Sequence, residues 1–398
     1  MEQIDWKTLG FDAYRTRTVV ISHFKDGKWS TPESTETFSF TFDPFAQVFH
    51  YAISCFEGLK AFRQKDGRVA MFRPDQNAAR LQRTADYLGM PCPDEKMFYE
   101  MCEACIRGNM EFLPPYGLGA SMYLRPLLVG MHPQMQLVPY PEAVFAVMCA
   151  PVGSYYGAHL KSCAAVIPGN YDRAAPKGSG SYKIGANYAN TFKPYKFAHE
   201  QGYAELLYLN SSTREFVDEF GSSNFFGIKG NKYITPLSDS VLPSITNKTL
   251  QQVAIDLGME VEKRPVPLEE LETFEEVGGC GTAVVITPLS DSVLPSITNK
   301  TLQQVAVDLG MEVEKRPVPL EELETFEEVG GCGTAVVITP LSHIDMKPVL
   351  EQPEVSREFR YCPDGEVGPK STALYRRIRA IQDGEYPDEH GWCRFVEV

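Results

Sequence analysis

The stretch Pro-Lys-Gly-Ser-Gly-Ser-Tyr-Lys-Ile-Gly-Ala-Asn-Tyr, residues 176–188, places Lys183 between two glycine-containing turns and five residues before Tyr188. A lysine amine attacks a carbonyl group only when it is neutral, so it needs partial desolvation or a cationic neighbour, and a tight backbone that aims it. The glycines supply the tight backbone. The segment therefore indicates a lysine that forms a Schiff base; the ordinary alternative is a solvated lysine in a flexible loop.

Four more segments accompany the lysine run in a characteristic order. They read His-Tyr-Ala-Ile-Ser-Cys-Phe-Glu-Gly-Leu-Lys-Ala-Phe-Arg at 50–63, Asn-Ala-Ala-Arg-Leu at 77–81, Gly-Ala-Ser-Met-Tyr-Leu-Arg-Pro at 119–126 and Glu-Phe-Gly-Ser-Ser-Asn-Phe-Phe at 219–226. With Leu-Pro-Ser-Ile-Thr and Gly-Cys-Gly-Thr-Ala further on, the chain resembles the branched-chain amino-acid aminotransferases, which are pyridoxal-phosphate enzymes of fold type IV. The resemblance covers nearly the whole chain apart from one repeated block.

The resemblance implies an α/β (α+β) fold made of a small α/β domain and a larger pseudo-barrel domain, with pyridoxal 5′-phosphate in the cleft between them. We predict the small domain at 1–152, a connector at 153–160 and the large domain at 161–398. The turn residues and aromatics of Pro151–Gly157 suit a connector that also closes over a site. Composition by itself indicates only an α/β protein of two domains.

Local patterns predict several elements. The alternation over Thr37–Phe42 predicts a strand, and the pattern over Asp75–Leu88, with Pro74 at its start, predicts an amphipathic helix. A helix is predicted from Thr246 to Leu257. A strand at 259–266 follows it, and then a second short helix.

A tandem copy lies inside the chain. Residues 234–285 recur at 286–337 with a single change, Ile255 to Val307, and Ile-Thr-Pro-Leu-Ser appears a third time at 338–342. Removing one 52-residue copy from the 398-residue chain leaves 346 residues that read through without interruption. Two nearly identical copies inside a single-copy enzyme indicate a duplication or an artefact rather than a solenoid of stacked repeats. The sheet has places for one set of elements, so we predict that the copies compete for them.

Composition narrows the range of partners. Hydrophobic residues are 43% and charged residues 23% of the chain, as in ordinary soluble enzymes. The 52 acidic and 38 basic residues give a net charge of −14, which disfavours nucleic acid and anionic membranes as partners. No apolar run approaches the roughly 18 residues of a membrane span. The first residues, Met-Glu-Gln-Ile-Asp-Trp-Lys, resemble neither a signal nor a transit peptide. We predict a cytoplasmic homodimer acting on small amino and 2-oxo acids.

Ten cysteines in a chain of this length do not indicate a disulfide scaffold. Cys102 and Cys105 have the CxxC spacing, but they continue a helical pattern that includes Met97 and Met101, with no second pair or histidine nearby. A zinc or redox role therefore has little support, and we predict no metal site.

The resemblance assigns the catalytic residues. Lys183 forms the Schiff base with pyridoxal phosphate and then moves the proton between the substrate Cα and C4′ of the cofactor. The ring nitrogen must stay protonated to store electrons, so a carboxylate must face it, and Glu219 fills this role. Tyr188 hydrogen-bonds O3′. The ordinary alternatives are a solvated acid for Glu219 and a core tyrosine for Tyr188.

The phosphate group needs hydrogen-bond donors. Arg80 offers a forked, charge-assisted pair, and the helix start at Ile245 and Thr246 offers backbone amides and a hydroxyl. Arg80 is otherwise a surface helix arginine, and Thr246 merely an N-cap. Further predicted cofactor contacts, including the alternatives that the second copy offers, are Ser222, Thr282, Thr298 and Thr334.

The substrate pocket of this family is aromatic and apolar, which suits isobutyl and isopropyl side chains. The residues that match it are Tyr51, Phe56, Tyr123 and Tyr155; an aromatic stripe is otherwise plain core. Backbone amides near Ser222 and at Ala283 or Ala335 take the α-carboxylate. Arg125 meets the second carboxylate of glutamate. Val-Val-Ile follows Gly-Thr-Ala where some members carry a cysteine pair, so no redox switch is expected there.

Three other functions stay open at this point. A D-amino-acid aminotransferase and an aminodeoxychorismate lyase share the lysine and the glutamate, and the segments at 56–63 and 123–125 favour the branched-chain group over both. The third is a catalytically dead paralogue, kept as a binding or structural protein because the duplication spoils the cleft. All the predicted catalytic residues are nevertheless present.

Overall fold

A computed structural model describes residues 4, 6, 9, 14–139, 141–153, 162–221, 223–238, 240–256, 259–280, 322–332, 337–361 and 366–398. Contacts divide the chain into two compact units. Unit 1 comprises Met1–Ala158, Tyr182–Ala186 and Ile381–Val398, and unit 2 comprises His159–Ser181 and Asn187–Ala380. The lysine run thus belongs to both units, with Lys183 in unit 1. The predicted boundaries at 152 and 161 stay a prediction, and residues 154–160 of the predicted connector lie outside the described residues.

The helices and strands follow each other along the whole chain. The helices are α1 (Gln47–Tyr51), α2 (Pro74–Tyr87), α3 (Glu95–Arg107), α4 (Gly185–Ala189), α5 (Phe192–Glu200), α6 (Ile245–Asp256) and α7 (Pro369–Gln382). The strands are β1 (Val19–Lys25), β2 (Lys28–Trp29), β3 (Glu33–Thr35), β4 (Ser54–Phe56), β5 (Leu59–Arg63), β6 (Val69–Phe72), β7 (Ser121–Gly130), β8 (Ala143–Val152), β9 (Cys163–Pro168), β10 (Glu205–Leu209), β11 (Val217–Phe220), β12 (Asn224–Lys229), β13 (Lys232–Pro236), β14 (Glu260–Arg264), β15 (Thr273–Cys280), β16 (Glu322–Cys332), β17 (Thr339–Lys347), β18 (Arg357–Arg360) and β19 (Cys393–Val396).

Unit 1 is built on one antiparallel sheet. Its strand order is β19-β6-β5-β7-β8-β1-β2, with β3 on β1 and β4 on β7. The strands β7 and β8 pair over their full lengths and form the centre of the sheet. The helices α2 and α3 cover the sheet with apolar side chains such as Leu81, Phe98 and Met101, which have at most 1% exposure. Burial of this face supplies the driving force for the unit.

Unit 2 contains a mixed sheet in the order β11-β10-β9-β17-β15-β16-β12-β13-β14, with β18 on β17. Parallel pairs join β9 to β10 and β17, and β13 to β14. The helix α6 bridges the last of these pairs in the chain, as parallel strands require a crossover. The mixed α/β class predicted from the sequence is confirmed.

The two copies of the repeat meet in this sheet. The strands β15 and β16 carry the same sequence, Thr-Phe-Glu-Glu-Val-Gly-Gly-Cys, 52 residues apart. Cys280 and Cys332 both pair with Asn224 of β12, and Gly279 and Gly331 both pair with Thr339 of β17. The two strands also pair with each other in parallel. Because a strand edge holds one neighbour at a time, we expect the two equivalent strands to compete for a single place between β12 and β17. The rest of the set comes from the first copy, which supplies α6 and β14.

Most local predictions are confirmed, and two are wrong. The helices predicted at 75–88 and 246–257 correspond to α2 and α6, and the strand at 259–266 corresponds to β14. Residues 37–42 form no strand, although their phenylalanines are half-buried and their polar residues exposed, because no strand in the described part of the chain pairs with them. The short helix predicted after β14 is a series of turns that ends in β15. The described helices include none long and apolar enough to cross a membrane.

Candidate active site

Lys183 is aimed by strand β4 and helix α2 within unit 1. Its carbonyl oxygen accepts from the Phe56 amide (3.2 Å), and its own amide donates to Thr84 Oγ1 (3.4 Å). An isolated bridge between Cys55 and Ile184 fixes the same register. The Lys183 side chain is 5% exposed, and its Nζ lies 4.7 Å from the centroid of the Phe56 ring. The alternative of a solvated loop lysine is therefore wrong, and the amine has the desolvated setting that a nucleophilic lysine needs.

One face of α2 supports the lysine and a buried ion pair. Asn77, Arg80 and Thr84 follow each other at spacings of three and four residues, which places them on one side of the helix. The Arg80 Nε and Nη2 atoms each lie 2.5 Å from a carboxylate oxygen of Glu57. Asn77 Nδ2 donates to the same carboxylate at 2.7 Å. Arg80 is 7% exposed and is not a surface arginine. In this structure the Arg80 guanidinium group binds Glu57. The predicted contact of Arg80 with the phosphate stays a prediction.

Three of the predicted substrate residues meet beside Lys183. Tyr123 and Arg125 are two residues apart in strand β7, so their side chains lie on the same face of the sheet. The Arg125 guanidinium lies 4.7 Å from the centroid of the Phe56 ring, and its Nη2 donates to the Tyr123 hydroxyl at 3.2 Å. The Phe56 ring thus has Arg125 and Lys183 as cationic neighbours, an arrangement that cation–π attraction favours.

Tyr51 is placed differently. It lines an apolar pocket of about 190 Å³ with Ile53, Leu88, Met90 and Leu137, and its hydroxyl donates to the Met135 carbonyl. Phe56, Tyr123 and Arg125 do not line this pocket. The structure therefore brings three of the five predicted side-chain contacts together: Phe56, Tyr123 and Arg125. Tyr51 lies apart from them, and Tyr155 lies outside the described residues.

Glu219 lies on β11 in unit 2 and is 2% exposed. Its Oε1 atom forms an ion pair with Arg173 Nη2 and accepts from the Leu242 amide at 3.1 Å. Its Oε2 atom accepts from Asn224 Nδ2 at 3.3 Å. The alternative of a solvated acid is wrong, because the carboxylate is fully enclosed in a set of polar partners. Burial raises the pKa of Glu219 to about 8, although Arg173, the Leu242 amide and Asn224 each lower it.

The neighbouring acid points to the same low-dielectric environment. Asp218 is 4% exposed and its Oδ1 atom has no hydrogen-bond partner. Burial raises the pKa of Asp218 to about 6. A pair of carboxyl groups with raised pKa values is a frequent mark of functional sites, and here it coincides with the acid that the resemblance assigns to the ring nitrogen.

The start of α6 is tied to Glu219 through Asn224. Asn224 Oδ1 accepts from the Ser244 amide at 3.2 Å, while its Nδ2 donates to Glu219 and to the Leu242 carbonyl. Ile245 and Thr246 at the first turn are 4% and 1% exposed. The N-terminus of a helix favours anions, so this buried turn suits a phosphate group.

Tyr188, the last residue of the lysine run, lies in helix α4 and is half-buried. The preceding turn is fixed by Asn187, whose Nδ2 donates to the Ser179 carbonyl at 2.7 Å and whose Oδ1 accepts from the Ser179 hydroxyl at 2.7 Å. The role of Tyr188 at O3′ stays a prediction. Predicted site residues that lie outside the described residues are Tyr155, Ser222, Thr282, Ala283, Thr298, Thr334 and Ala335.

Sequence reasoning missed four partners of the site. Glu57, Asn77 and Thr84 lie in or beside quoted motifs, and the helical spacing of residues 77, 80 and 84 is a signal that could have found two of them. Arg173 gave no comparable signal, because its partner Glu219 is 46 residues away in the chain. Cys102 and Cys105 are buried in α3, and the described residues contain no cluster suited to a metal ion.

The chain is similar to a family of known proteins. The sequence profile described as amino-transferase class IV matches residues 54–290 and 280–344, two segments that meet at the junction of the repeat copies. A branched-chain-amino-acid aminotransferase of Haemophilus influenzae is 44% identical over 296 residues, which are 73% of this chain and 86% of that protein. The enzyme of the same name from Mycolicibacterium smegmatis is 32% identical over 389 residues, which are 96% of this chain and 91% of that protein.

Solved structures show the same fold. The crystal structure of the Escherichia coli branched-chain amino acid aminotransferase matches with a TM-score of 0.69 at 22% identity, covering 96% of this chain and all of that one. The branched-chain amino acid aminotransferase from Thermobaculum terrenum, in its PLP-form, matches with a TM-score of 0.67 at 19% identity, covering 96% of this chain and 99% of that one. The fold predicted from the sequence is confirmed.

Proposed function

The chain belongs to the class IV aminotransferase family, and on that premise we propose that it transfers the amino group of leucine, isoleucine or valine to 2-oxoglutarate with pyridoxal 5′-phosphate as cofactor. The products are the branched 2-oxo acid and glutamate. The observation that carries the proposal is Lys183, a buried amine held by backbone hydrogen bonds beside an aromatic ring in a chain that is 44% identical to such an enzyme.

The residues fit the cofactor. Unit 1 supplies a desolvated lysine amine for a C=N bond. Unit 2 supplies an enclosed carboxylate, Glu219, whose Oε2 atom has one weak donor at 3.3 Å and so retains acceptor capacity for a ring N–H. The buried start of α6 supplies a place for a dianion at Ile245 and Thr246. When bound, pyridoxal phosphate supplies the carbonyl carbon for that C=N bond and a ring that withdraws electrons from the substrate Cα.

Each residue then has a defined task. Lys183 Nζ would hold the cofactor covalently and, once released by the incoming amine, would move the proton between the substrate Cα and C4′. Glu219 keeps the proton on the ring nitrogen, because an enclosed anion stabilises a neighbouring cation strongly in a low dielectric. Tyr188 orients the ring through O3′. Thr84 and the Phe56 amide hold the lysine backbone in place during the exchange.

The aromatic group around Phe56 supports an apolar amino acid as substrate. Phe56 and Tyr123 offer apolar surface that excludes water, and Arg125 between them offers a cation for the second carboxylate of glutamate. A site that accepts both partners must hold an apolar and an acidic side chain in turn. Arg125 serves the acidic one, while its stacking on Phe56 keeps it beside the ring.

We also propose that the enzyme is a cytoplasmic homodimer. Cysteines of the described part of the chain, such as Cys55 and Cys149, are free thiols, which suits a reducing compartment. The exposed phenylalanines Phe45 and Phe49, 52% and 61% exposed, offer apolar surface of the kind that subunit contacts cover.

A substrate panel tests the function. Purified protein loaded with pyridoxal phosphate is incubated with 2-oxoglutarate and one amino donor at a time: L-leucine, L-isoleucine, L-valine, D-alanine or 4-amino-4-deoxychorismate. We expect glutamate from the three branched L-amino acids only. Pyruvate from 4-amino-4-deoxychorismate or glutamate from D-alanine would support one of the alternative activities, and no turnover by a cofactor-loaded protein would support the dead paralogue.

A further inference from the structure

A buried arginine that no sequence motif identified connects three segments of unit 2. Arg173 is 8% exposed. Its Nη2 atom pairs with Glu219 Oε1 and donates to the Gly180 carbonyl at 3.2 Å, and its Nη1 atom donates to the Ser240 carbonyl at 3.3 Å. The three acceptors belong to the catalytic strand β11, to the glycine-rich turn three residues before Lys183, and to the loop that leads into α6.

The glycine-rich turn and the loop before α6 touch at the same place. A Cβ atom added to Gly180 would lie 1.9 Å from the Ser240 carbonyl oxygen, so position 180 admits only glycine. The two backbones are therefore in direct contact, and Arg173 binds a carbonyl of each. A planar guanidinium serves such a junction better than an ammonium, because its donors have fixed directions.

The two carboxylate oxygens of Glu219 differ in their hydrogen bonding. Oε1 has two donors, Arg173 and the Leu242 amide, which satisfy the usual capacity of a carboxylate oxygen. Oε2 has only the longer bond from Asn224. The arginine thus anchors the carboxylate by one oxygen and leaves the other directed toward a further donor.

We propose that Arg173 is a positioning residue for the cofactor: it favours the ionised form of Glu219 and fixes the carboxylate in one rotamer, so that Oε2 is presented to the protonated ring nitrogen. This inference rests on the proposed function. The charged groups that act on Glu219 include Arg173 and Asp218, and the titratable Tyr208 is its cross-strand partner on β10. Of these, Arg173 favours the ionised carboxylate, whereas Asp218 opposes it.

Cofactor binding by the apo-protein tests the proposal. The variants are Arg173→Gln, Arg173→Lys and, as a matched control, Arg214→Gln, since Arg214 pairs with Asp172 (2.6 Å) in the same unit without touching Glu219. Two probes are compared: pyridoxal phosphate and its carbocyclic analogue, in which a CH group replaces the ring nitrogen. Both bind through the phosphate and the aldehyde, but only the first uses Oε2.

We expect Arg173→Gln to weaken pyridoxal phosphate binding about tenfold, because the carboxylate loses a charge-assisted hydrogen bond that fixes its rotamer and the cation that favours its ionised form. Binding of the carbocyclic analogue should change less than about threefold, since no ring N–H is involved. Arg173→Lys should recover part of the loss, and Arg214→Gln should change neither probe. Equal losses for the two probes in Arg173→Gln would overturn the proposal and leave Arg173 a purely structural residue.

A double-mutant cycle on the apo-protein gives a second readout. Urea unfolding is compared for the wild type, Arg173→Gln, Glu219→Gln and the double variant. If Arg173 acts through Glu219, its substitution costs less in the Glu219→Gln background. An equal cost in both backgrounds, or a double variant that fails to fold where Glu219→Gln folds, would contradict the proposal. Wild-type protein that binds pyridoxal phosphate without transaminating would refute the proposed function while leaving the Arg173–Glu219 coupling measurable.

Discussion

Deleting residues 286–337 should stabilise the protein, and the size of the effect follows from the sheet register. When β15 fills the place between β12 and β17, 58 residues separate Cys280 from Thr339, and the deletion leaves six. Closing the longer connection costs about 2 kcal/mol more, since the length falls by roughly three doublings at ~0.6 kcal/mol each. The full chain can place either copy in the sheet, and the entropy of these two equivalent arrangements stabilises it by only ~0.4 kcal/mol. We therefore expect a gain of roughly 1.5 kcal/mol in the free energy of unfolding.

The assay is equilibrium urea unfolding of both proteins, followed by far-ultraviolet circular dichroism. A matched control deletes residues 234–285 instead. This variant differs from the first only by valine in place of Ile255, a residue that is 49% exposed, so the two deletions should agree within ~0.5 kcal/mol. Transamination should survive in both. A loss of more than about 1 kcal/mol in either deletion would refute the reasoning and make the second copy an integral part of the fold.

Disulfide trapping measures the competition directly. Gly227 of β12 is the Cα partner of both Val277 and Val329. Opposed residues of an antiparallel pair lie about 4.5–5.5 Å apart at Cα, which is within reach of a disulfide. Gly227→Cys is therefore combined with Val277→Cys in one variant and with Val329→Cys in another, and the bridge is mapped by mass spectrometry after mild oxidation. We expect both disulfide bridges to form. Formation of only one bridge would show that only one copy of the strand pairs with β12.

Four further predictions concern the site. Borohydride should attach the cofactor to Lys183, because a C=N bond is reducible, and a label on another lysine found by mass spectrometry would refute the assignment. Glu219→Gln should retain the cofactor but lose most transamination, whereas near-normal turnover would show that another acid faces the ring nitrogen. The free energy of unfolding of the apo-protein should fall by up to ~1.4 kcal/mol per pH unit as the pH rises from 4.5, the ordinary pKa of Glu219, to about 8, its pKa in the folded state. The reason is that over this range the folded state keeps a proton that the unfolded state releases. Urea unfolding of Glu219→Gln over the same pH range should show a weaker pH dependence. Glu57→Gln should cost ~3–5 kcal/mol in urea unfolding, because it removes the anion from a buried ion pair with Arg80, while Glu111→Gln, which breaks an exposed pair, should cost less than ~1 kcal/mol.

The sequence motifs pointed to candidate site residues, but they did not indicate which side chains bind those residues in the folded protein. The resemblance assigned Lys183 and Glu219, and both side chains are buried, as the proposed chemistry requires. Arg80 was assigned to the phosphate, which stays a prediction, and its buried partner Glu57 was not foreseen. An ion pair depends on which side chains the fold brings together, and neither periodicity nor spacing contains that information.

The strand prediction that failed shows the same limit at the level of secondary structure. Residues 37–42 alternate as a strand should, and their phenylalanines are indeed half-buried. A strand also needs a neighbour whose hydrogen-bonding edge is open, and the strands that pair with β1 are β2, β3 and β8. Alternation reports which side chains face the protein, whereas pairing depends on the topology of the whole sheet.

The duplicated strand is the case in which local sequence cannot decide at all. Its two copies are identical from Thr273 to Cys280 and from Thr325 to Cys332, so side-chain packing gives neither an advantage. Only the connections differ: with β15 in place they are 8 and 58 residues long, and with β16 in place 60 and 6. The closure costs of these two sets differ by roughly 0.2 kcal/mol, which is less than the thermal energy. We therefore expect the full chain to adopt both arrangements in comparable amounts.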